Sequence, residues 1–265
     1  MKKILIVGST GMLGRTAKKY FQDNGYNVST LDRSDVDLSK TGWDGIRTKI
    51  IDNCCDILIN CAGLIIQRKN TPIEDFLKVN SIIPRWMANI CEEQGIEMYH
   101  PTTDCIYDGL EGPYEEGRSY TEKGIYGLSK VLGEPENCAV IRSSIIGEES
   151  HNKLSFLEWV RSNVNSTVNG YSNHLWNGVT CLEMCKIIHE IIESNSYYKG
   201  TKHYYSPIVT KADMIKYVNE VYDLNIKINV IDTGTIINKT LLSKYTKERK
   251  DLKEQIKEQK NFWVH

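Results

Sequence analysis

The 265-residue sequence has no long hydrophobic run and almost no net charge. Its apolar stretches fall far short of the about 18 residues that a membrane-spanning helix needs, and its formal net charge is −1. Nucleic-acid and membrane partners are usually marked by basic excess or basic clusters, and the single lysine-rich stretch lies near the C-terminus. These absences predict a globular protein with no nucleic-acid or membrane partner.

Metal-ligand spacing is also missing. The eight cysteines follow no such spacing, and the six histidines are scattered. Cys181 and Cys185 share one helix face, but no histidine or second cysteine pair completes a zinc site, so we expect both in the core. The apolar run after Met1 is too short for a signal peptide. We therefore expect no metal site, and reduced thiols in a cytoplasmic protein.

A glycine-rich turn follows the first predicted strand. Residues 4–7 are apolar and mostly β-branched, which is typical of a strand buried on both faces of a parallel sheet. Gly8, Gly11 and Gly14 then form G-x-x-G-x-x-G ahead of a helical pattern. Between a strand and a helix, such glycines let the backbone approach a pyrophosphate at the helix N-terminus. The predicted nucleotide-binding residues of this turn are Gly8, Thr10, Gly11, Met12, Leu13 and Gly14.

An acidic and a basic residue follow the second predicted strand, residues 26–31. Asp32 and Arg33 stand where a side chain meets the adenosine ribose. An acid there binds the 2′-hydroxyl of NAD, whereas an arginine accommodates the 2′-phosphate of NADP, so both cofactors stay open. Asp37 and Leu38 come next and could pass the adenine edge.

Small residues end the third predicted strand, residues 56–59. Cys61, Ala62 and Gly63 form a turn at a strand's carboxyl end, where open α/β sheets bind ligands. The long helical pattern of residues 72–95 carries Asn80. An asparagine is at best neutral within a helix, so this side chain either has a function or lies on the surface.

Polar side chains follow the fourth predicted strand, residues 96–99. Thr103 and Asp104 place a hydroxyl and a carboxylate at its carboxyl end. Tyr126 and Lys130 lie four residues apart in a helix predicted to begin near residue 121, so they share one helix face. A cation beside a tyrosine favours the phenolate and lowers its pKa, and such a pair could give a proton to a carbonyl oxygen.

Strands and helices alternate regularly through the first 145 or so residues, including a fifth strand at 139–141. This alternation predicts an α/β fold with a doubly wound parallel sheet. Beyond residue 147 the alternation loosens. The expected elements there are a helix at 154–164, a loop at 173–180 capped by Thr180 into a helix at 181–192, a strand at 203–205 that rejoins the sheet, a helix at 211–222, a strand at 227–231 and a solvated charged helix at 247–260.

The glycine turn, the turn at Asn60, the Thr103-Asp104 pair and Tyr126-x-x-x-Lys130 occur in an order and spacing that resemble the extended short-chain dehydrogenase/reductases. Residues 102–109, T-T-D-C-I-Y-D-G, look like the S-T-D-Y-V-F-x-G signature of the dTDP-4-dehydrorhamnose reductase group. The similarity covers nearly the whole chain and is weaker in its second half. It implies a Rossmann domain of residues 1–148 and about 179–206, with a smaller C-terminal α/β substrate lobe of residues about 149–178 and 207–265.

The resemblance also implies residue roles. Thr103 would bind the substrate carbonyl, Tyr126 would donate a proton, and Lys130 would lower the tyrosine pKa and hold the nicotinamide ribose of NADP(H) or NAD(H). Asn80 matches an asparagine that arranges the active-site water and lysine. The implied substrate-binding residues are Thr103, Asp104, Cys105, Arg142, His174, Trp176 and Lys239.

Two positions depart from the group's pattern. Cys105 replaces a tyrosine, and Lys239 stands where an arginine would reach the substrate phosphate. The residues alone also leave open a core position for Trp176 and an internal ion pair for Arg142.

The implied activity is NAD(P)H-dependent reduction of a keto group, preferably at C4, of a nucleoside-diphosphate 6-deoxy sugar in deoxysugar and surface polysaccharide biosynthesis. Two alternatives stay open. One is an NAD-dependent nucleotide-sugar epimerase or dehydratase, and the other is a non-catalytic nucleotide-binding regulatory subunit, because the family includes a regulatory partner of methionine adenosyltransferase. The terminal Phe262, Trp263 and Val264 could pack on the body or on another subunit, so a homodimer stays open too.

Overall fold

The computed structural model describes residues 2–65, 67, 70–150 and 153–264. Its strands are β1 (Lys3–Val7), β2 (Asn27–Leu31), β3 (Ile57–Asn60), β4 (Glu97–Thr102), β5 (Ala139–Arg142), β6 (Ile145–Ile146), β7 (Thr167–Tyr171), β8 (His174–Trp176), β9 (Val179–Thr180), β10 (Gly200–His203), β11 (Val209–Thr210), β12 (Lys227–Ile231) and β13 (Ile237–Asn238). Its helices are α1 (Met12–Asp23), α2 (Trp43–Asp52), α3 (Ile73–Leu77), α4 (Ile83–Gln94), α5 (Ile125–Leu132), α6 (Phe156–Ser162), α7 (Cys181–Glu193), α8 (Lys211–Tyr222) and α9 (Leu252–Val264).

A six-stranded parallel sheet forms the centre, with strand order β2-β1-β3-β4-β5-β10. The order reverses at β1, which pairs with β2 on one side and with β3 on the other. Open α/β sheets bind ligands outside the carboxyl ends of the strands at such a reversal. The predicted doubly wound α/β sheet is confirmed, and the strand expected near residue 203 pairs with β5.

Both faces of the sheet are buried. Ile4 and Ile6 of β1 pack toward α1 and α7, whereas Leu5 and Val7 pack toward α2 and α4. Successive side chains of a strand point to opposite faces, so a strand covered on both sides is apolar at every position. This explains why the run at residues 4–7 shows no alternation.

The second half of the chain builds smaller sheets around a separate apolar cluster. β8 pairs with β11 and β13, β7 pairs with β12, and β6 pairs with β9. Side chains of α6, α8 and α9, among them Val160, Met214 and Ile256, form this cluster.

Two expectations about this half need correction. The segment predicted as a loop at 173–180 contains β8 and β9, because Val179 and Thr180 are fully buried and pair with β6. The helix predicted at 247–260 runs from Leu252 to Val264 and is partly buried rather than solvated. Its glutamines explain this: Gln255 Oε1 accepts a hydrogen bond from the Thr180 backbone N–H and Gln259 Oε1 accepts one from that of Leu182, so polar side chains satisfy the start of α7.

Two helices around the site also differ from the sequence expectation. The pattern at 72–95 is divided, with a π-helical segment, Lys78–Ile82, between α3 and α4. The helix expected near residue 121 begins at Ile125, because the backbone N–H groups of Thr121 and Glu122 bond to the Ile106 carbonyl instead. Thr180 caps α7 as predicted, since its hydroxyl accepts from the Glu183 N–H.

Candidate active site

A cavity of about 340 Å³ opens at the carboxyl ends of β1, β2 and β3, where the strand order reverses. Its position is the one that ligands take in open α/β sheets. The predicted cofactor residues that line it are Gly8, Thr10, Gly11, Asp32, Arg33, Asp37, Leu38, Cys61, Ala62 and Gly63.

The glycine turn brings the N-terminus of α1 against the end of β1. Gly8 has φ +80°, and a Cβ there would lie 2.9 Å from the Ala62 backbone. A Cβ on Gly14 would lie 2.1 Å from the Gly8 carbonyl oxygen, so only glycine allows this approach. Gly11 begins α1 without a side-chain cap, which leaves first-turn N–H groups for an anionic ligand. The turn therefore fits a pyrophosphate.

Met12 and Leu13 contribute backbone groups to this turn, and their side chains pack into the protein. Leu13 is buried against β1 and α7, and Met12 packs against Gly147. Gly14 is likewise a packing position. None of these three residues lines the cavity.

The acidic residue after β2 is tied to the glycine turn. Asp32 accepts hydrogen bonds from the Ser9 hydroxyl at 2.7 Å and from the Thr10 N–H at 3.2 Å. Arg33 is exposed, and its guanidinium lies 3.5 Å from Asp37. An acidic and a basic residue thus both lie where the sequence predicts the adenosine ribose, and the choice between NAD and NADP stays open. Ser9 is a residue that the sequence pattern did not identify.

Tyr126, Thr103 and Cys105 come together where α5 meets the end of β4. Gly127 allows the approach, since a Cβ there would lie 2.6 Å from the Cys105 carbonyl oxygen. The pKa of Tyr126 is raised, mainly by burial and then by Cys105, and hydrogen bonding with Thr103 opposes this effect. The sequence predicted the opposite shift, caused by Lys130. Burial dominates instead, so the phenol is protonated at neutral pH.

Lys130 is buried, with 9% of its surface exposed. A Cβ on Gly63 would lie 2.8 Å from its Nζ, so the ammonium lies directly beside the turn that ends β3. Burial lowers the pKa of Lys130 to about 8, against the opposing charge of Glu134. The described part of the chain gives this ammonium no hydrogen bond or ion pair, which fits a group that binds a ligand.

Asn80 fixes the backbone around the site. Its amide donates to the Leu64 carbonyl at 3.1 Å and to the Ser129 hydroxyl at 3.2 Å, and its carbonyl accepts from the Leu64 N–H at 2.8 Å. Asn80 therefore joins the segment after β3 to α5. It is a buried positioning residue rather than a surface residue.

His100 lies beneath the site in β4 and was not singled out from the sequence. Its Nδ1 is 3.1 Å from the Asn60 amide nitrogen, and its Nε2 is buried with no hydrogen bond among the described residues. Burial, and then the charge of Lys130, lower the pKa of His100 to about 3, so the ring is neutral.

Asp104 and Cys105 lie beside the tyrosine, and Lys239 lies near Cys105. Asp104 is buried and accepts from the Thr103 hydroxyl at 3.3 Å, while the Cys105 N–H donates to that hydroxyl at 3.1 Å. Burial raises the pKa of the Cys105 thiol to about 12, and the Lys239 charge opposes this. Lys239 Nζ lies 3.7 Å from Glu122.

The other predicted substrate residues are engaged within the protein. Arg142 donates to Glu134 and Tyr107 and contacts His203, so the internal ion pair is the arrangement found. Trp176 is 3% exposed and belongs to the second apolar cluster. His174 Nε2 lies 3.0 Å from the Thr233 hydroxyl, and its ring lies against Tyr171.

Within the described residues, no three His, Cys, Asp or Glu side chains are grouped to hold a metal ion. Nor does any helix in the described ranges have the length and apolarity to cross a membrane.

Comparison with solved structures matches the whole fold. The NADP complex of dTDP-4-dehydrorhamnose reductase from Bacillus anthracis superposes with a TM-score of 0.82 at 15% identity, covering 100% of this chain and 99% of that one. The NADP-bound GDP-mannoheptose C4 reductase from Campylobacter jejuni gives 0.76 at 13% identity, covering 100% and 98%. At these identities the likeness concerns the fold alone.

Sequence comparison matches the first part of the chain. dTDP-4-dehydrorhamnose reductase from Aggregatibacter actinomycetemcomitans is 28% identical over 162 residues, which are 57% of this chain and 54% of that protein. The chain spans about half the length of the curated relatives it matches. The family model for the RmlD substrate binding domain matches residues 1–163, more than half of the sequence. With its glycine turn, its strand-end Thr103 and its Tyr126-Lys130 helix, this chain belongs to the RmlD substrate binding domain family.

Proposed function

We propose that this protein reduces the C4 keto group of a nucleoside-diphosphate 6-deoxy sugar with NADPH or NADH, in deoxysugar and surface polysaccharide biosynthesis. The observation that carries the proposal is that Thr103 lies beside Tyr126 and that Lys130, four residues further along α5, lies beside Gly63 of a cavity built on a glycine turn. The curated relatives that are named as dTDP-4-dehydrorhamnose reductases support it.

The cofactor would lie along the cavity. The N–H groups at the start of α1 would bind its pyrophosphate, and Asp32 and Arg33 would meet the adenosine ribose. Gly63 and Lys130 would hold the nicotinamide ribose. Bound NADPH or NADH supplies the hydride.

Residues of the protein would then transfer the proton. Thr103 and Tyr126 would bind the keto oxygen, and the Tyr126 hydroxyl would donate its proton to the developing alkoxide. Burial keeps this phenol protonated before the reaction. The Lys130 ammonium, on the same face of α5, would stabilise the phenolate that remains.

We further propose the division into a nucleotide domain, residues 1–148 and about 179–206, and a substrate lobe, residues about 149–178 and 207–265. The return of β10 to the central sheet and the separate cluster of α6, α8 and α9 support this division. Among the predicted substrate residues, we retain Thr103, Asp104, Cys105 and Lys239, because the first three adjoin Tyr126 and Lys239 lies near Cys105.

A cytoplasmic location and a homodimer complete the proposal. Cell fractionation tests the first, and light scattering on the purified protein tests the second. Phe262 and Trp263 already pack against Tyr20 and Arg15 of α1, so a dimer would have to use another surface.

The decisive experiment offers the purified protein a panel of nucleoside-diphosphate 4-keto sugars with NADPH or NADH. The proposed reductase consumes one cofactor for each sugar reduced. An epimerase or dehydratase would purify with bound NAD and consume none, and a regulatory subunit would bind nucleotide without turnover. Either of those results would replace the proposed function.

A further inference from the structure

Lys211 lies at the start of α8, and nothing in the sequence pattern singled it out. It is the first residue of α8, and its side chain is half-buried. Its Nζ lies 5.4 Å from the ring centre of Phe156 and 5.6 Å from that of Trp176. Two aromatic rings thus hold the ammonium in place.

Among the residues that the structure describes, no carboxylate forms an ion pair with this ammonium. Within the described ranges, Lys211 makes no hydrogen bond and no ion pair. Asp213, in the same turn, accepts instead from the N–H and hydroxyl of Thr210. The N-terminus of a helix also disfavours a cation, because the helix dipole is positive there. A partly buried ammonium in this position is therefore able to bind an anionic ligand.

The neighbours of Lys211 connect it to the reacting groups. Burial lowers the pKa of Lys211, while the nearby Asp104 and then Cys105 raise it and the charge of Lys239 lowers it. Asp104 and Cys105 directly follow Thr103 and both contact it. The charge of Lys239 is offset by Glu122 at 3.7 Å, whereas no described residue forms an ion pair with Lys211.

We propose that Lys211 is a substrate-binding residue whose ammonium binds an oxyanion of the nucleoside-diphosphate sugar. The oxyanion is either a phosphate oxygen of the diphosphate or a carboxylate carried by the sugar. This proposal rests on the proposed function, because it takes the surroundings of Thr103 and Tyr126 as the substrate site. The aromatic rings orient the ammonium, and the substrate supplies the missing anion.

Calorimetric titration tests the proposal on the full chain saturated with NADP⁺, which keeps the glycine turn filled. The probes are inorganic pyrophosphate, then UDP, GDP and dTDP. Lys211→Met keeps the aliphatic packing and should weaken binding by on the order of 10- to 100-fold, the loss expected for a hydrogen bond to a charged group. Lys211→Arg should stay within a few fold of the wild type. Lys216→Met, at an exposed position of the same helix, is the matched control and should change nothing.

The two sources of the oxyanion give different patterns. For the nucleoside that binds best, the diphosphate-linked glucose and glucuronate are compared. If Lys211 binds the diphosphate, Lys211→Met weakens the binding of pyrophosphate and of both nucleotide sugars by a similar factor. If it binds a sugar carboxylate, only the glucuronate form loses affinity, and the 6-deoxy sugar of the proposed function is then replaced by an acidic one.

The proposal is overturned if Lys211→Met binds every probe as the wild type does, or if the wild type binds none of them. Should Lys211→Met fail to fold, as judged by circular dichroism, Lys211→Gln replaces it with the same expectations. Lys211-dependent binding of pyrophosphate by a wild-type protein that reduces no keto sugar would remove the proposed function and leave the role of Lys211 intact.

Discussion

The two sides of the site are built differently. The glycine edge, defined by Gly8, Gly11, Gly14 and Gly63, uses backbone groups and the absence of side chains. The lysine side, defined by Lys211 and Lys239, uses charged side chains from segments far apart in sequence. A ligand phosphate can be bound by either means, but only the first leaves a contiguous motif. The glycine edge is therefore open to prediction from sequence, and the lysine side depends on how the second half folds.

Tyr126 carries the proposed proton transfer, so its removal should have the largest effect. We expect Tyr126→Phe to lower kcat by roughly a hundred- to ten-thousand-fold, because the proton donor is lost. The Kd for NADPH, measured by fluorescence titration, should stay nearly constant, since the glycine edge is untouched. Tyr120→Phe, at an exposed tyrosine, is the control. Wild-type turnover by Tyr126→Phe would rule out the mechanism.

Arg142 tests whether a basic residue of the first half belongs to the lysine side. Arg142→Met leaves the Glu134 carboxylate buried without its partner, both side chains being 9% exposed, and should lower the free energy of unfolding by about 3 kcal/mol or more. Lys239→Met breaks a more exposed pair with Glu122 and should cost below about 1 kcal/mol.

Urea unfolding and nucleotide titration separate these two variants. Arg142→Met should lose stability but keep its affinity for nucleoside diphosphates where it remains folded. Lys239→Met should do the reverse. Equal losses of affinity in both would mean that Arg142 also reaches the substrate.

Burial of Lys130 makes the free energy of unfolding of the protein depend on pH. Its pKa is about 8 in the folded protein, below the ordinary 10.5, so the unfolded chain binds more protons between these values. The burial penalty is fully present below pH 8 and disappears as pH rises toward 10.5, with a maximum of about 3 kcal/mol. Lys130→Met should therefore be more stable than the wild type at pH 7, and the difference should shrink by pH 10.

Denaturant titrations at both pH values measure this difference. Lys123→Met, at an exposed lysine just before α5, should follow the wild type at each pH. A constant difference between Lys130→Met and the wild type would show that the ammonium is not sheltered.

The glycine edge itself is tested by two alanine variants. Gly14→Ala would bring a Cβ within 2.1 Å of the Gly8 carbonyl oxygen and should destabilise the protein by about 1–3 kcal/mol. Gly11→Ala meets nothing closer than 3.4 Å, so it should fold normally yet bind NADPH more weakly, because its methyl group enters the cofactor space. Thermal melts and NADPH titrations distinguish the two. A normal Tm for Gly14→Ala would contradict the packing role.

Most of the central sheet was predictable, because strands buried on both faces are apolar runs and because their alternation with helices indicates a parallel sheet. The predicted start of α5 was wrong by a few residues. The backbone N–H groups of Thr121 and Glu122 donate to the Ile106 carbonyl, and no local sequence pattern indicates this contact. The burial of α9 was missed because Gln255 and Gln259 look solvated until the N-terminus of α7 is placed beside them.

By itself, the sequence determined the parallel sheet, the glycine turn and the spacing that puts Tyr126 and Lys130 on one helix face, because each depends on neighbouring residues and backbone geometry. Only the tertiary structure decided the direction of the tyrosine pKa, the internal ion pair of Arg142 and the position of Lys211. These three features depend on burial and on charges from segments distant in the sequence, and the local spacing of residues predicts neither burial nor such charges.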